Sequence, residues 1–319
     1  MEQGGPYGFD TLFKMSLPHV LEKIFLSLDY KSLKTCYEVN KEWQEFIMSK
    51  SFLQKAKDEF WAEIEEEEKR LFKMSERGNA HEVRRLLSFG LVDVNYVRWL
   101  YDELDGTPFD DATPLQRAAE NGHKNAVQCL LDNGADPNKA DEIGRTPLHF
   151  AAWKGRSGVA KILLDGGADP SRIDATEYTP GMTPLHWAAS QPRPNSGHNE
   201  VAKILLDGGA DPDDVGGYGK TPLALAVEHD HQAVVKTLLD RGANPDANKD
   251  RNGTDLFTAI LVGEDDVVVK LLLKAGADPN VENEKGQTAV DYANELSYCK
   301  ATVKILKDAG GREGSQRND

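Results

Sequence analysis

The sequence predicts an all-α protein: a short three-helix segment, then a solenoid of helix-turn-helix units joined by hairpin loops. Three observations predict it. The tripeptide Thr-Pro-Leu begins at Thr113, Thr146, Thr183 and Thr221, with weaker copies at Thr254 and Thr288, at intervals of 33, 37, 38, 33 and 34 residues. The signature Gly-Ala-Asp/Asn-Pro begins at Gly134, Gly167, Gly209, Gly242 and Gly276, at intervals of 33, 42, 33 and 34. Two signatures sharing a period near 33 mark one structural unit repeated along the chain. Residues 16–53 do not fit the period but carry apolar side chains at helical spacing.

Residues 1–14 are expected to be a flexible N-terminus. Residues 15–54 follow as the short helical domain. Leu17-Pro18 opens a helix with Val20, Leu21, Ile24, Phe25 and Leu28 on one face. Asp29 to Ser32 reads as a break and new cap, after which Leu33, Cys36, Val39 and Trp43 recur every three or four residues. A segment of about 40 residues buries too little surface to stand alone, so it needs a neighbour or a partner. Residues 55–76 lack proline and glycine and read as a linker helix, with Phe60, Trp61, Ile64, Leu71 and Phe72 giving it an apolar face. Its run Glu65 to Glu68 reads as a solvated face.

Residues 77–311 form the solenoid, about six units from 110 to 311 after a degenerate capping unit, Ala80 to Asn95. In each unit threonine is an N-cap, and proline beside it suits the first helical position, where a missing N–H costs nothing. Leu148, Ala151 and Ala152 supply a narrow apolar face whose small alanines let helices approach closely. Val159 to Leu164 make a second helix, Gly167 fits its left-handed end, and Pro170 stops it. Such a unit cannot bury its own apolar faces, but stacked copies can. Three departures stand out: about ten extra residues at Tyr96 to Asp105, sixteen residues instead of twelve between Gly167 and Thr183, and a long inter-helix loop from Ser190 to His198. Residues 312–319 read as a flexible tail.

Gly144 to Ala152 and Gly181 to Ala189 match the pattern G-x-T-P-L-H-x-A-A in full, so residues 77–311 resemble the ankyrin repeat. Residues 16–53 resemble an F-box, carried by Leu17-Pro18, Ile24-Phe25, Leu28-Asp29, Ser32-Leu33 and the phrase Leu33 to Trp43. The F-box family usually has one more residue after Leu-Pro, and often cysteine where Asn40 stands. The resemblances imply the substrate-recognition adaptor of a cullin-RING ubiquitin ligase, docking on the Skp-type linker subunit and through it on a cullin. Leu17, Pro18, Leu21, Ile24, Phe25, Leu28, Val39 and Trp43 would meet the linker. The ankyrin stack would hold a substrate protein for ubiquitin transfer by other subunits. The alternative is an ankyrin scaffold or inhibitor with no ubiquitin role. Either reading implies a cytoplasmic or nuclear protein.

In an ankyrin stack the hairpin tips and first helices line a concave face on which partners sit. Phe150, Trp153, Lys154 and Trp187 are the residues expected there, flanked by Arg117, Glu120 and Asn121 on one side and Glu228 and His229 on the other. The extended hairpin adds Tyr178 and the next one Tyr218. Large aromatics on adjacent repeats suggest an anchor patch, the alternative being that Trp153 and Trp187 only cover neighbouring helices. Ankyrin repeats are also hydroxylated on hairpin asparagines, and Asn138 and Asn280 occupy matching places; turn geometry alone explains asparagine there too.

Net charge is −15, with −3 from residues 1–75 and −12 from the rest. This surface repels phosphate backbones and steers basic partners, though excess acid also serves solubility. Nucleic acid and membrane are not expected partners: no run of about 18 apolar residues is present. Nor does the N-terminus read as a secretory signal. Cys36, Cys129 and Cys299 neither staple a small fold nor build a zinc site. Gly219-Lys220-Thr221 ends like a phosphate loop, but Asp214 stands where that motif needs glycine. Asp246 to Arg251 lacks the glycine and glutamate of a calcium loop. His149 and His186 belong to the repeat motif, and His229 and His231 have no third ligand nearby in sequence. No catalytic constellation, metal site or cofactor site is read, and an enzyme is not expected.

Overall fold

The computed structural model describes residues 53–88, 92–101, 108–174, 181–191, 196–250, 253–263, 266–296 and 300–314. The N-terminal residues singled out above, Leu17, Pro18, Leu21, Ile24, Phe25, Leu28, Val39 and Trp43, lie outside the described residues, as do Tyr178 and the side chain of Tyr218. The chain divides into two compact units, 1–67 and 68–319, and the second holds the repeats.

The described residues form fourteen α-helices. α1 (Leu53–Glu76) and α2 (Ala80–Ser88) come first. Pairs follow: α3 (Pro114–Asn121) with α4 (Lys124–Asp132), α5 (Pro147–Trp153) with α6 (Ser157–Asp165), and α7 (Pro184–Ala189) with α8 (Ser196–Asp207). Then come α9 (Pro222–Glu228) with α10 (Gln232–Asp240), α11 (Asp255–Val262) with α12 (Val267–Lys274), and α13 (Ala289–Glu295) with α14 (Lys300–Asp308). First helices pack on first helices and second on second, so the solenoid has two layers.

The core runs between the layers. The leucines of the threonine signature, Leu115, Leu148, Leu185, Leu223 and Leu256, are fully buried, as are the alanine pairs Ala118-Ala119, Ala151-Ala152 and Ala188-Ala189. Removing such a leucine side chain costs about 2–5 kcal/mol, whereas each alanine acts by letting its neighbour close in.

The end of α1 does the work of a first helix. Leu71, Phe72 and Ser75 are buried, and Gly78 N–H and Asn79 N–H bond to Ser75 and Met74 carbonyls. Gly122 N–H and His123 N–H bond to Ala119 and Ala118 in the same way after α3. The capping unit therefore pairs the last turns of α1 with α2.

Two antiparallel hairpins interrupt the helical pattern. β1 (Arg98–Tyr101) pairs with β2 (Pro108–Ala112), Arg98 opposite Ala112, with a register shift between Leu100 and Tyr101. The extra residues noted in the sequence thus lengthen one finger, the hairpin-bearing loop between units. β3 (Lys249–Asp250) and β4 (Gly253–Thr254) form a smaller ladder. Each finger from Gly134 onward starts on a glycine in the left-handed region, φ 86–97° at Gly134, Gly167, Gly209, Gly242 and Gly276. A Cβ there would meet nothing within 4 Å, so conformation rather than crowding selects glycine.

Adjacent fingers are stapled by one polar side chain each. Asn95 accepts from Asp136 N–H at 2.8 Å, Asn138 from Asp169 N–H at 2.8 Å, Asp213 from Asn244 N–H at 2.8 Å and Asp246 from Asp278 N–H at 3.0 Å. Asn280 accepts from Arg312 N–H at 2.9 Å. The finger after α6 lacks this staple. Ser171 holds the equivalent position, and its hydroxyl turns back to Asp169 Oδ1 of its own finger at 2.6 Å.

Candidate functional site

The inner helices are set by a second series of bonds from the third helical residue. His149 Nδ1 accepts from Thr146 N–H at 3.0 Å, which leaves Nε2–H to donate to the Met182 carbonyl of the next finger at 3.1 Å. His186 repeats this with Thr183 N–H at 3.2 Å and the Lys220 carbonyl at 3.1 Å. Gln116 does the same after Thr113, its amide donating to the carbonyls of Lys139 and Arg145. Burial holds both imidazoles neutral, pushing their pKa from 6.5 down to about 4. The expected structural role of His149 and His186 is what the geometry shows.

On this frame five of the expected site residues form one contiguous line across three units. Arg117 Nη1 lies 2.7 Å from Glu120 Oε2, and Lys154 Nζ lies 3.6 Å from Glu120 Oε1. The same ammonium stands 3.6 Å from the centre of the Trp153 ring, a cation–π contact. Trp153 meets Trp187 edge to face, ring centres 6.1 Å apart at 80°. Both tryptophans are half-buried.

Trp187 is anchored further. Its Nε1–H donates to Asp174 Oδ2 at 2.9 Å, and the other Asp174 oxygen accepts from Met182 N–H at 2.8 Å. Asp174 is itself buried. The pattern of the repeats named Trp187 but not Asp174. The signal was present: Asp141 holds the matching place one unit earlier, accepting from Arg145 N–H at 2.7 Å.

Other expected residues lie elsewhere. Phe150 is 3% exposed, so it belongs to the core and presents no surface to a partner. The Arg145 guanidinium covers its ring at 4.8 Å, held there by Asp141 at 2.6 Å. Asn121 closes the end of α3, donating to the Arg117 carbonyl at 3.0 Å. Glu228 pairs with Lys220 at 2.5 Å, and His229 stacks on His231 with ring centres 5.6 Å apart. Among the described residues neither makes a hydrogen bond, ion pair or ring contact with the tryptophan pair.

His231 is the unusual histidine. Equivalent residues His123, Arg156 and His198 each bond a carbonyl in the last turn of the preceding first helix: Glu76, Glu120 and Trp153. His231 is buried, yet neither ring nitrogen meets hydrogen-bond geometry, although the Ala189 and Gln191 carbonyls lie near enough to influence its titration. Ser190, the residue that matches Glu120 and Trp153 in this unit, lies one residue past the end of α7.

The asparagines expected as modification sites serve the finger staples. Asn138 Nδ2 donates to the Gly167 carbonyl at 3.0 Å and Asn280 Nδ2 to the Gly310 carbonyl at 3.3 Å, beside the acceptor bonds given above. Among the described residues no three His, Cys, Asp or Glu side chains are grouped to hold a metal ion. No described helix is long and apolar enough to cross a membrane.

A solenoid of stacked helix pairs tied finger to finger is the architecture of a protein-interaction scaffold. The family description "Ankyrin repeats (3 copies)" matches at residues 50–141, 71–174 and 173–250, more than half of the chain. The chain belongs to the ankyrin-repeat family. The crystal structure of the human ASB11 ankyrin repeat domain is similar, at 25% sequence identity and a TM-score of 0.56, over 74% of this chain and 96% of that one. No curated protein matches the sequence.

Proposed function

We propose that this protein is the substrate-recognition adaptor of a ubiquitin ligase, its ankyrin stack gripping a substrate protein at Trp153 and Trp187. The observation that carries the partner site is the tryptophan pair: half-buried, edge to face, and tied down by Asp174 and Lys154. A rigid aromatic loses little entropy when a partner covers it, which is why such residues dominate binding energy. The ligase role rests on the F-box resemblance of residues 15–54 and works by proximity, with the chemistry done by other subunits.

Co-purification with the Skp-type linker and cullin tests this. The full chain should bring both down, and Leu17→Ala with Pro18→Ala should lose both while the repeats keep their circular dichroism and melting point. Capture of a substrate without linker or cullin would assign the protein to the ankyrin scaffolds or inhibitors instead. Hydroxylation at Asn138 or Asn280 is a second proposal for the fingers. An intact-mass gain of one oxygen, mapped to either peptide after exposure to an active hydroxylase, supports it, and its absence from both peptides rejects it.

A further inference from the structure

Among the described residues five large apolar side chains stand exposed: Ile143, Ile173, Val215, Leu261 and Val267. Single exposed aliphatics are ordinary on any surface. Three of these five, however, sit on three consecutive fingers. Ile173 and Val215 are 58% and 67% exposed, and both are the sixth residue after the glycine that opens their finger. Ala140 has that place one finger earlier, with Ile143 just beyond it at the tip of the turn. The next two fingers put Asn248 and Glu282 there, so the apolar row ends. Its extent matches the units around Trp153 and Trp187.

The ground beneath the row is acidic. Residues 134–145, 167–174 and 209–220 carry eight carboxylates, of which Asp141 and Asp174 are buried, and four cations. Two of the cations are already committed, Arg145 to Asp141 and Lys220 to Glu228. Asp211, Asp213 and Asp214 crowd the base of the Val215 finger. Burial, reinforced by the Asp211 charge, raises the pKa of Asp214, as it does where negative groups lack a countercharge. An acidic partner, a nucleic acid or a second copy of these fingers would meet repulsion here.

Spacing sets the form of the partner. Packed helices lie about 8–10 Å apart, so adjacent fingers advance by about that distance. An extended chain of the polyproline II kind advances about 3.1 Å per residue and returns a side chain to the same face every third residue, which makes roughly three residues per finger. We infer that the row Ile143, Ile173 and Val215 receives an extended, basic segment of the partner protein, with an apolar side chain at every third position and lysine or arginine between. This rests on the reading of the stack as a partner-binding surface, and is independent of the ligase role.

The test uses the full chain and fluorescein-labelled twelve-residue peptides. One has leucine at every third position and lysine elsewhere, one has the same composition with its leucines in a block, and one has glutamate for every lysine. In fluorescence polarisation the spaced peptide should bind about tenfold or more tighter than the block peptide, and weaken as salt is raised. Ile173→Asn with Val215→Asn should abolish the preference for the spaced peptide without lowering the melting point, since both side chains are exposed. Equal binding of spaced and block peptides, binding of the glutamate peptide, or an unchanged preference in the double variant would overturn the inference. Pull-down of an identified partner separates the two levels. If Trp187→Ala loses the partner and Ile173→Asn with Val215→Asn keeps it, the finger row is wrong and the tryptophan site stands. If neither loses it, the site reading falls as well.

Discussion

Asp174 fixes the orientation of Trp187: its carboxylate accepts the indole N–H at 2.9 Å from a finger of the preceding unit. A buried carboxylate on a finger thus sets the pose of an aromatic on a helix. Asp174→Ala removes that bond and leaves the indole N–H to find water. Stability should fall by about 1–3 kcal/mol, the range for a bond to a charged group or an orphaned buried donor. Thermal melts measure the loss, and tryptophan emission should shift to the red as the ring becomes wetter. An unshifted spectrum would mean that packing alone holds the ring.

Trp153→Ala and Trp187→Ala should each weaken binding of an identified partner by about 2 kcal/mol or more. The cost in stability should stay below the roughly 3–5 kcal/mol of a fully buried aromatic, because both rings are half-buried. Calorimetric affinities set beside chemical melts decide it. Full affinity in both variants, or unfolding of both, goes against the anchor role.

His149 and His186 make the stack sensitive to acid. Their folded pKa near 4 lies below the ordinary 6.5, so the unfolded chain takes up protons first as pH falls. Their stabilisation is complete above about pH 6.5 and is lost progressively down to about pH 4, on the order of 3 kcal/mol for each ring. His149→Gln with His186→Gln should reduce the fall in melting temperature across that window, since Gln116 already makes the same bonds with an amide, while His231, which burial also lowers to about 4, keeps its own share. An unchanged pH slope in the glutamine variant would show that other groups govern it.

Ser171→Asn should supply the staple missing between the fingers of α6 and α8. Asn138 shows what the longer side chain does, accepting from one neighbouring amide and donating to a neighbouring carbonyl. A gain of about 0.5–1.5 kcal/mol follows if one such bond forms. Hydrogen exchange should show slower exchange at Asp211 N–H, and exchange as fast as before would mean that the two fingers do not come within reach.

Much of this fold could be read from residue order because the unit is self-announcing: a threonine cap, a proline, a leucine that must be buried, and a glycine that must be left-handed. The capping unit was harder, since the end of α1 replaces the threonine cap with a continuous helix. Its trace lies in spacing alone, with Gly78 eight residues before Leu86 as Gly122 is before Leu130. Phe150 and Trp187 share a repeat position, yet the sequence could not separate them. Arg145 covers the first, and Met182 holds the matching place beside the second. Pairwise side-chain geometry of that kind has no periodic signature.

The bare serine at position 171 bears on how this protein can change over generations. Each of the other stapled fingers is held to the one after it by a side chain that lands on one amide at that finger's base. The Ser171 finger is held only from the side of Asn138 and makes no such bond to the finger after it, and it carries sixteen residues between its glycine and the next threonine where the other glycine-opened fingers carry twelve. Natural variation in chain length should therefore accumulate at this loop, beside Trp187, where a new partner could be acquired without dismantling the stack.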